Sequence, residues 1–339
     1  MILEPVPAAA ERSRCNASRF VAADRGGHYE SWFQRANHRD RPLAFWIRYT
    51  VFSPKGRPED AVGELWAIYF DGERNRISAA KEVVPLAACR FSREGLDVHV
   101  GGASLVDGQL SGQAKSDPHA LQWDLRYQAP EPPLLLLQPR FYAGRFPKAK
   151  ALVGAPNAVF DGAIVVDGES VAVSQWVGSQ NHNWGSQHTD SYAWGQVAGF
   201  DDAPDTFLEC STALLKVGPF RAPPLTVIVL RIEGREIRLN GLAQAFRAEG
   251  SFDFPSWRIR SQTAELCLSI RIQAPASAFV GLAYANPPGG VKTCLNSKLA
   301  SCELILEEKG RARRSFQSRH RAAFEILTDR QDHGVPVVA

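Results

Sequence analysis

From Tyr29 onward the chain consists of short runs rich in aromatic and β-branched residues, each closed by a turn signal. No long 3.6-residue hydrophobic period competes with them. Residues 43–52 (Leu-Ala-Phe-Trp-Ile-Arg-Tyr-Thr-Val-Phe) end at Pro54-Lys55-Gly56, and residues 64–71 (Glu-Leu-Trp-Ala-Ile-Tyr-Phe-Asp) end at Asp71-Gly72. Runs of the same kind recur at 95–100, 121–127, 158–166, 169–175, 191–198 and 206–215, then at 225–232, 235–246, 257–262, 265–273, 279–284 and 300–306. Asp-Gly pairs at 71–72, 107–108, 161–162 and 167–168 suit tight hairpins, because both residues tolerate positive φ. The pattern predicts an all-β chain whose one short helix lies within 148–152.

At 339 residues the chain exceeds what one core usually fills, so two units are expected. The clearest break is Gly218-Pro219 through Pro223-Pro224, since prolines at this density cannot continue a central strand. The division expected is a partly ordered lead-in over 1–26, one β unit over 27–218 and a second over 219–339. Many short antiparallel strands in two sets favour barrels or strongly curved sheets, and small barrels commonly close around one apolar ligand.

Charge argues against several partners. A net charge of +3, from 39 basic and 36 acidic residues, implies neither nucleic acid nor an anionic membrane. The basic run at 309–321 reads as a solvated loop. No run of 18 apolar residues and no signal peptide stand out, so a soluble cytoplasmic protein without an integral membrane segment is expected, its oligomeric state open. Six Cys without C-x-x-C spacing read as reduced thiols, with a Cys294–Cys302 pair the less favoured alternative. There is no dinucleotide fingerprint, P-loop or nucleophile elbow. The spacing of His182, His188 and Asp190 fits no common metal motif, and neither a metal nor a cofactor is expected.

One stretch stands apart. Residues 180–188 (Gln-Asn-His-Asn-Trp-Gly-Ser-Gln-His), followed by Asp190, Tyr192 and Trp194, combine imidazoles, indoles and amides in a way that packing alone does not require. On a strand, His182 and Trp184 share a face, as do Tyr192 and Trp194. An imidazole beside an indole can move a proton onto an apolar substrate while the ring face steadies positive charge. Equally, His182 can bond within a loop while Trp184 plugs a barrel end. Asn181 and Gln180 favour the functional reading, since amides can orient a ligand oxygen or water. Asp190 leads into the Tyr192–Trp194 pair, which is either a ligand wall or a cross-strand aromatic pair. Glu209, if inward, is a carboxylate in an apolar site with a raised pKa, and if outward is surface. Glu30 and Trp32 share a face near the first strand and serve either as a tether for the barrel end or as ligand contacts.

Glu30-Ser31-Trp32-Phe33, followed by the run at 43–52, resembles the E-W-W-Y type start of the carotenoid 1,2-hydratase (hydroxyneurosporene synthase) and AttH-like family. Asn181-His182-Asn183-Trp184-Gly185, with Tyr192-Ala193-Trp194, resembles its D-H-x-W-G and W-x-W segments. Tocopherol cyclases look like more distant relatives. The resemblance covers residues 28–215 by motif and reaches the C-terminus by strand count. It implies two lipocalin-like β domains meeting around an apolar cavity. It also implies acid-initiated hydration of an isoprenoid double bond, a lyase activity, or a related cyclisation, without a redox cofactor. His182 and Trp184 match the family's catalytic His-x-Trp. The later Tyr-x-Asp is unmatched: the region reads Phe207-Leu208-Glu209-Cys210-Ser211, so Glu209 is the carboxylate on offer, and Asn181 stands where the family carries Asp. Three readings therefore remain open: an enzyme of this type, a non-catalytic carrier or sensor of a hydrophobic, isoprenoid-like small molecule, and a structural latch between the domains formed by the 181–185 region, in which case no ligand-sized cavity would adjoin it.

Overall fold

A computed structural model describes residues 8–217 and 220–338. They form an all-β, lipocalin-like architecture of two large antiparallel sheets. The first has twelve strands. Its spatial order runs from Arg76–Pro85 through Val62–Asp71, Leu43–Ser53 and His28–Asn37 to Glu169–Gly185 and Ala149–Val166, then outward through His119–Gln128 and Gln109–Ser116 to the short strands of residues 89–106. Its ends curl toward each other: the Lys81 amide donates to Ser116 Oγ at 3.2 Å and the Lys115 amide to Glu82 Oε1 at 2.8 Å, so the barrel is nearly closed.

The second sheet has ten strands and begins with Ser191–Ala198, which lies between Phe207–Leu214 and Arg314–Thr328. The chain thus changes sheet between Gly185 and Ser191. Residues 218 and 219, within the expected break, lie outside the described residues, and the flanking strands Phe207–Leu214 and Leu225–Ile232 pair with each other inside the second sheet.

Burial explains which runs became strands. In Leu43–Ser53, Phe45, Ile47, Tyr49 and Val51 fill the barrel with Trp32, Trp123, Phe160 and Trp176. The alternate residues Ala44 and Trp46 pack outward with Phe33, Trp66, Trp194, Leu282 and Tyr284 against the second sheet. Both faces are covered, so the usual polar alternation is absent. Around Asp167-Gly168 both residues take positive φ (52° and 89°), the two-residue hairpin turn their types favour.

Four local expectations are corrected. Residues 149–152 are strand rather than helix, because the ladder to Glu169–Gly185 (Leu152 opposite His182) outweighs a short Lys-Ala helix preference. Asp161-Gly162 is a bulge inside a strand rather than a hairpin; Asp161 accepts from the Gln175 amide at 2.9 Å and from its Nε2 at 2.7 Å. The run at 235–246 ends as strand at Leu239 and continues as the helix Leu242–Arg247. The basic run is in part strand: Arg314 pairs with Glu308 at 2.9 Å, and Arg319 and Arg321 grip Asp201 at 2.8 and 2.9 Å. All six cysteines are free thiols. Among the described residues, no helix is long and apolar enough to cross a membrane.

Candidate active site

The strand Glu169–Gly185 separates two polar clusters, one on each face. Its even-numbered residues Gln180, His182 and Trp184 point into the barrel, opposite Gln34, Trp32 and Glu30 of the neighbouring strand. The His182 ring lies between two indoles, with centroids 4.8 Å from Trp32 and 4.8 Å from Trp184. Its Nε2 is 2.8 Å from Glu30 Oε1, both side chains fully buried. An ionised carboxylate only accepts, so Nε2 carries the proton, while Nδ1 lies 3.0 Å from the Cys15 carbonyl oxygen and 3.3 Å from Arg19 Nη1: unprotonated it accepts from Arg19, protonated it donates to Cys15. Burial lowers the His182 pKa and keeps the ring neutral, against the opposing pull of Glu30.

Glu30 is the hub. Besides His182 it accepts from Ser18 Oγ (3.0 Å), the amides of Arg19 (2.9 Å) and Phe20 (3.0 Å), and His28 Nε2 (3.1 Å). Burial would raise its pKa, but these donors outweigh burial and hold it far below the usual carboxylate range. The same N-terminal segment is held at two further points. Asn16 and Gln180 exchange amide hydrogen bonds at 2.9 Å each, and Trp32 Nε1 donates to the Asn16 carbonyl at 2.9 Å. Gly154 leaves room for this amide pair; a Cβ there would lie 2.1 Å from Gln180 Oε1. The Arg19 guanidinium sits 4.1 Å over the Trp184 ring. Gln180, Glu30 and Trp32, three of the residues nominated from sequence, therefore grip residues 16–20 of the chain itself.

The odd-numbered residues face the second sheet. Asn181 Oδ1 accepts from Gln196 Nε2 at 2.7 Å, and the same nitrogen reaches Glu209 Oε2 at 2.7 Å. Trp194 Nε1 donates to Glu209 Oε1 at 2.8 Å. Gln196 Oε1 accepts from Ser179 Oγ at 2.6 Å and from Arg35 Nε at 2.8 Å. Glu209 points inward and is 2% exposed. Burial pushes its pKa up to about 7, against the lowering effect of Trp194, Gln196 and the Arg35 charge. Burial in turn lowers the Arg35 pKa to about 9.

Of the residues nominated from sequence, the fold thus gathers Gln180, His182, Trp184, Glu30 and Trp32 inside the barrel, and Asn181, Trp194 and Glu209 between the sheets. His182 and Glu209 lie on opposite sides of the same strand. The His182–Trp184 and Tyr192–Trp194 strands do not pair edge to edge; they meet face to face through Asn181 and Gln196. Tyr192 packs at the margin of the inter-sheet aromatic cluster, and the backbone carbonyl of Asp190 accepts from Lys292 Nζ at 2.8 Å. His188 stacks on Tyr29 at 4.0 Å, and burial lowers its pKa to about 3.

Sequence reading missed Arg35, Arg48, Lys298 and Glu325 and singled out Gln196 without giving it a role; all five are buried in the layer between the sheets. Lys298 Nζ pairs with Glu325 Oε1 at 2.8 Å and lies 5.6 Å from the rings of Trp46 and Trp194. A lone Arg or Lys inside an apolar run was the only available signal. Two surface clefts of about 330 and 420 Å³ share no residue with either cluster.

The fold and the buried inter-sheet layer define an AttH-like, lipocalin-like architecture, and solved structures share it over nearly the whole chain. Kievitone hydratase from Nectria haematococca aligns with a TM-score of 0.60 at 12% identity, covering 97% of this chain and 94% of that one. A candidate AttH from Nitrosomonas europaea aligns at 0.57 and 14%, covering 92% and 97%, and CghA at 0.54 and 12%, covering 89% and 88%. At these identities the likeness is one of fold. By sequence, an uncharacterized protein found in two strains of Mycobacterium tuberculosis is 28% identical over 210 residues, 61% of this chain and 61% of that protein. No family model matches the chain.

Proposed function

We propose that the chain binds a hydrophobic, isoprenoid-like small molecule between its two sheets and that Glu209 hands it a proton, beginning a hydration or cyclisation of the carotenoid 1,2-hydratase type. The observation that carries this reading is Glu209 itself: a wholly buried carboxyl with a pKa near 7, on the aromatic layer where both sheets meet. A hydratase and CghA among the structural neighbours support the reaction class by analogy of fold. In this reading Trp194 fixes the carboxyl through its N–H and offers a ring face to the substrate, Gln196 and Asn181 orient water or a ligand oxygen, and Tyr192 closes the margin. His182 and Trp184, the family-like pair, work from behind: their stack and the Glu30 bond fix the strand that carries Asn181.

One observation favours a carrier instead. Both Glu209 oxygens already accept a hydrogen bond, and both His182 nitrogens are engaged within the chain. Native mass spectrometry of freshly purified protein, followed by incubation of the co-purified compound with wild type and Glu209→Gln, separates the two. An enzyme gives product with wild type and at least a hundredfold less with Glu209→Gln at similar binding. Equal turnover by both proteins removes Glu209 as the acid, and binding without turnover by either leaves the carrier.

A further inference from the structure

Arg48 is a buried cation that, among the described residues, forms no ion pair, although burial is outweighed by the nearby charges, Glu64 and Glu325 among them, which hold its pKa above the ordinary value. It lies on the outer face of Leu43–Ser53, 4% exposed, between the sheets. One hydrogen bond holds it, Nη2 to Ser31 Oγ at 2.7 Å, and its guanidinium lies 4.4 Å from the Tyr284 ring and 5.9 Å from the Trp46 ring. Its Nε has no partner among the described residues. Nor has the indole nitrogen of Trp46, two residues earlier on the same face and 1% exposed. Arg35 in the same layer shows what a structurally satisfied guanidinium looks like here: its donors reach Gln196 Oε1, the Gln196 carbonyl, Asn37 Oδ1 and the Arg321 carbonyl.

The neighbouring carboxylates are already committed. Glu64 pairs with Lys81 at 3.2 Å and accepts from Trp66 Nε1, and Glu325 pairs with Lys298 and accepts from Asn296 Nδ2 at 3.1 Å. Burial drives the Tyr284 and Tyr192 pKa values far up, so both phenols stay neutral, and His188 beside Tyr29 is neutral too. A buried charge is ordinarily paired, because leaving water uncompensated costs several kcal/mol. Two unmet N–H donors, one on a guanidinium that no carboxylate touches among the described residues, share a single strand face and therefore describe the complement of an oxygen anion.

We propose that the layer between the sheets takes an amphipathic organic acid, an apolar body ending in a carboxylate, and that Arg48 and the Trp46 N–H bind that carboxylate. The inference rests on the inter-sheet reading of the site and adds the ligand's charge to it. Trp46, Trp66, Phe33 and Trp194 supply the walls for the body. A polyene carrying an acid group fits this layer better than a neutral hydrocarbon.

The test uses the full chain with cis-parinaric acid, a fluorescent tetraene carboxylic acid, and its methyl ester, titrated at pH 7.5 against wild type, Arg48→Met and Trp194→Leu. Wild type should bind the acid at least about tenfold more tightly than the ester, a difference of 1.4 kcal/mol. Arg48→Met should bring that ratio to about one with the ester unchanged. Its melting temperature without probe is measured alongside, to separate a loss of stability from a loss of anion binding. Trp194→Leu should weaken both probes. Equal binding of acid and ester by wild type, with both weakened in Trp194→Leu, overturns the anion site and leaves the inter-sheet site standing. Binding insensitive to either substitution, or binding of neither probe, overturns both. A fall in Arg48→Met stability with an unchanged acid-to-ester ratio makes Arg48 a brace for Ser31 and also overturns the inference.

Discussion

Replacing Glu30 by Gln removes one charge from the barrel interior and keeps its shape. The carboxylate accepts from three donors of residues 18–20 and from His28 and His182, with distances of 2.8 to 3.1 Å. Gln retains one acceptor and turns an amide NH₂ toward N–H and O–H donors. Hydrogen bonds to a charged group contribute about 1.5–3 kcal/mol each. Because the neutral His182 ring can change tautomer to suit the amide, the net loss should be that of about two such bonds, about 3–6 kcal/mol. Urea unfolding followed by tryptophan fluorescence measures it at pH 7. The sign with pH follows from the depressed Glu30 pKa. Its stabilisation is complete above the unfolded value of about 4.3 and is lost as pH falls toward the much lower folded value. The gap between Glu30→Gln and wild type should therefore hold from pH 8 to pH 5 and narrow progressively below about pH 4. A loss under about 1 kcal/mol, or a gap unchanged at pH 3, refutes the view of Glu30 as the charged hub that fastens the N-terminal segment.

Glu209→Gln should behave in the opposite sense. A carboxyl raised to about 7 contributes stability that is full below the unfolded value and lost as pH rises through 7, a change of about 3 kcal/mol at about 1.4 kcal/mol per unit. The variant should gain on wild type between pH 5 and pH 8 in chemical-denaturation profiles, and parallel profiles contradict this. His188, lowered to about 3, should make wild type lose about 1.4 kcal/mol per pH unit as pH falls below about 6.5. His188→Phe, which keeps the stack on Tyr29, should flatten that slope in melting temperatures measured from pH 6.5 to 4.5.

The strands were legible because aromatic and β-branched runs such as 43–52 have little alternative to a sheet, and Asp167-Gly168 has little alternative to a hairpin. What was hidden is the face each residue serves. In Leu43–Ser53 both faces are buried, so Phe45 in the barrel and Trp46 between the sheets look alike in sequence. His182 and Asn181 are neighbours in sequence, yet one bonds Glu30 inside the barrel and the other bonds Gln196 between the sheets. The carboxylate partner of His182 is Glu30, 152 residues away, and a ladder register of that kind has no local signal. The hold on residues 16–20 was equally invisible, because backbone groups, the Ser18 hydroxyl, the Arg19 guanidinium and a single Asn side chain carry it.

The central claim is that Glu209 is a protonatable acid in a dry layer between the sheets. The ¹³C signal of its carboxyl carbon, assigned by comparison with Glu209→Gln in glutamate-labelled protein, tests it most directly over pH 3 to 9. A single titration centred near 7 is expected. A midpoint near the ordinary value of about 4.3 would contradict the claim.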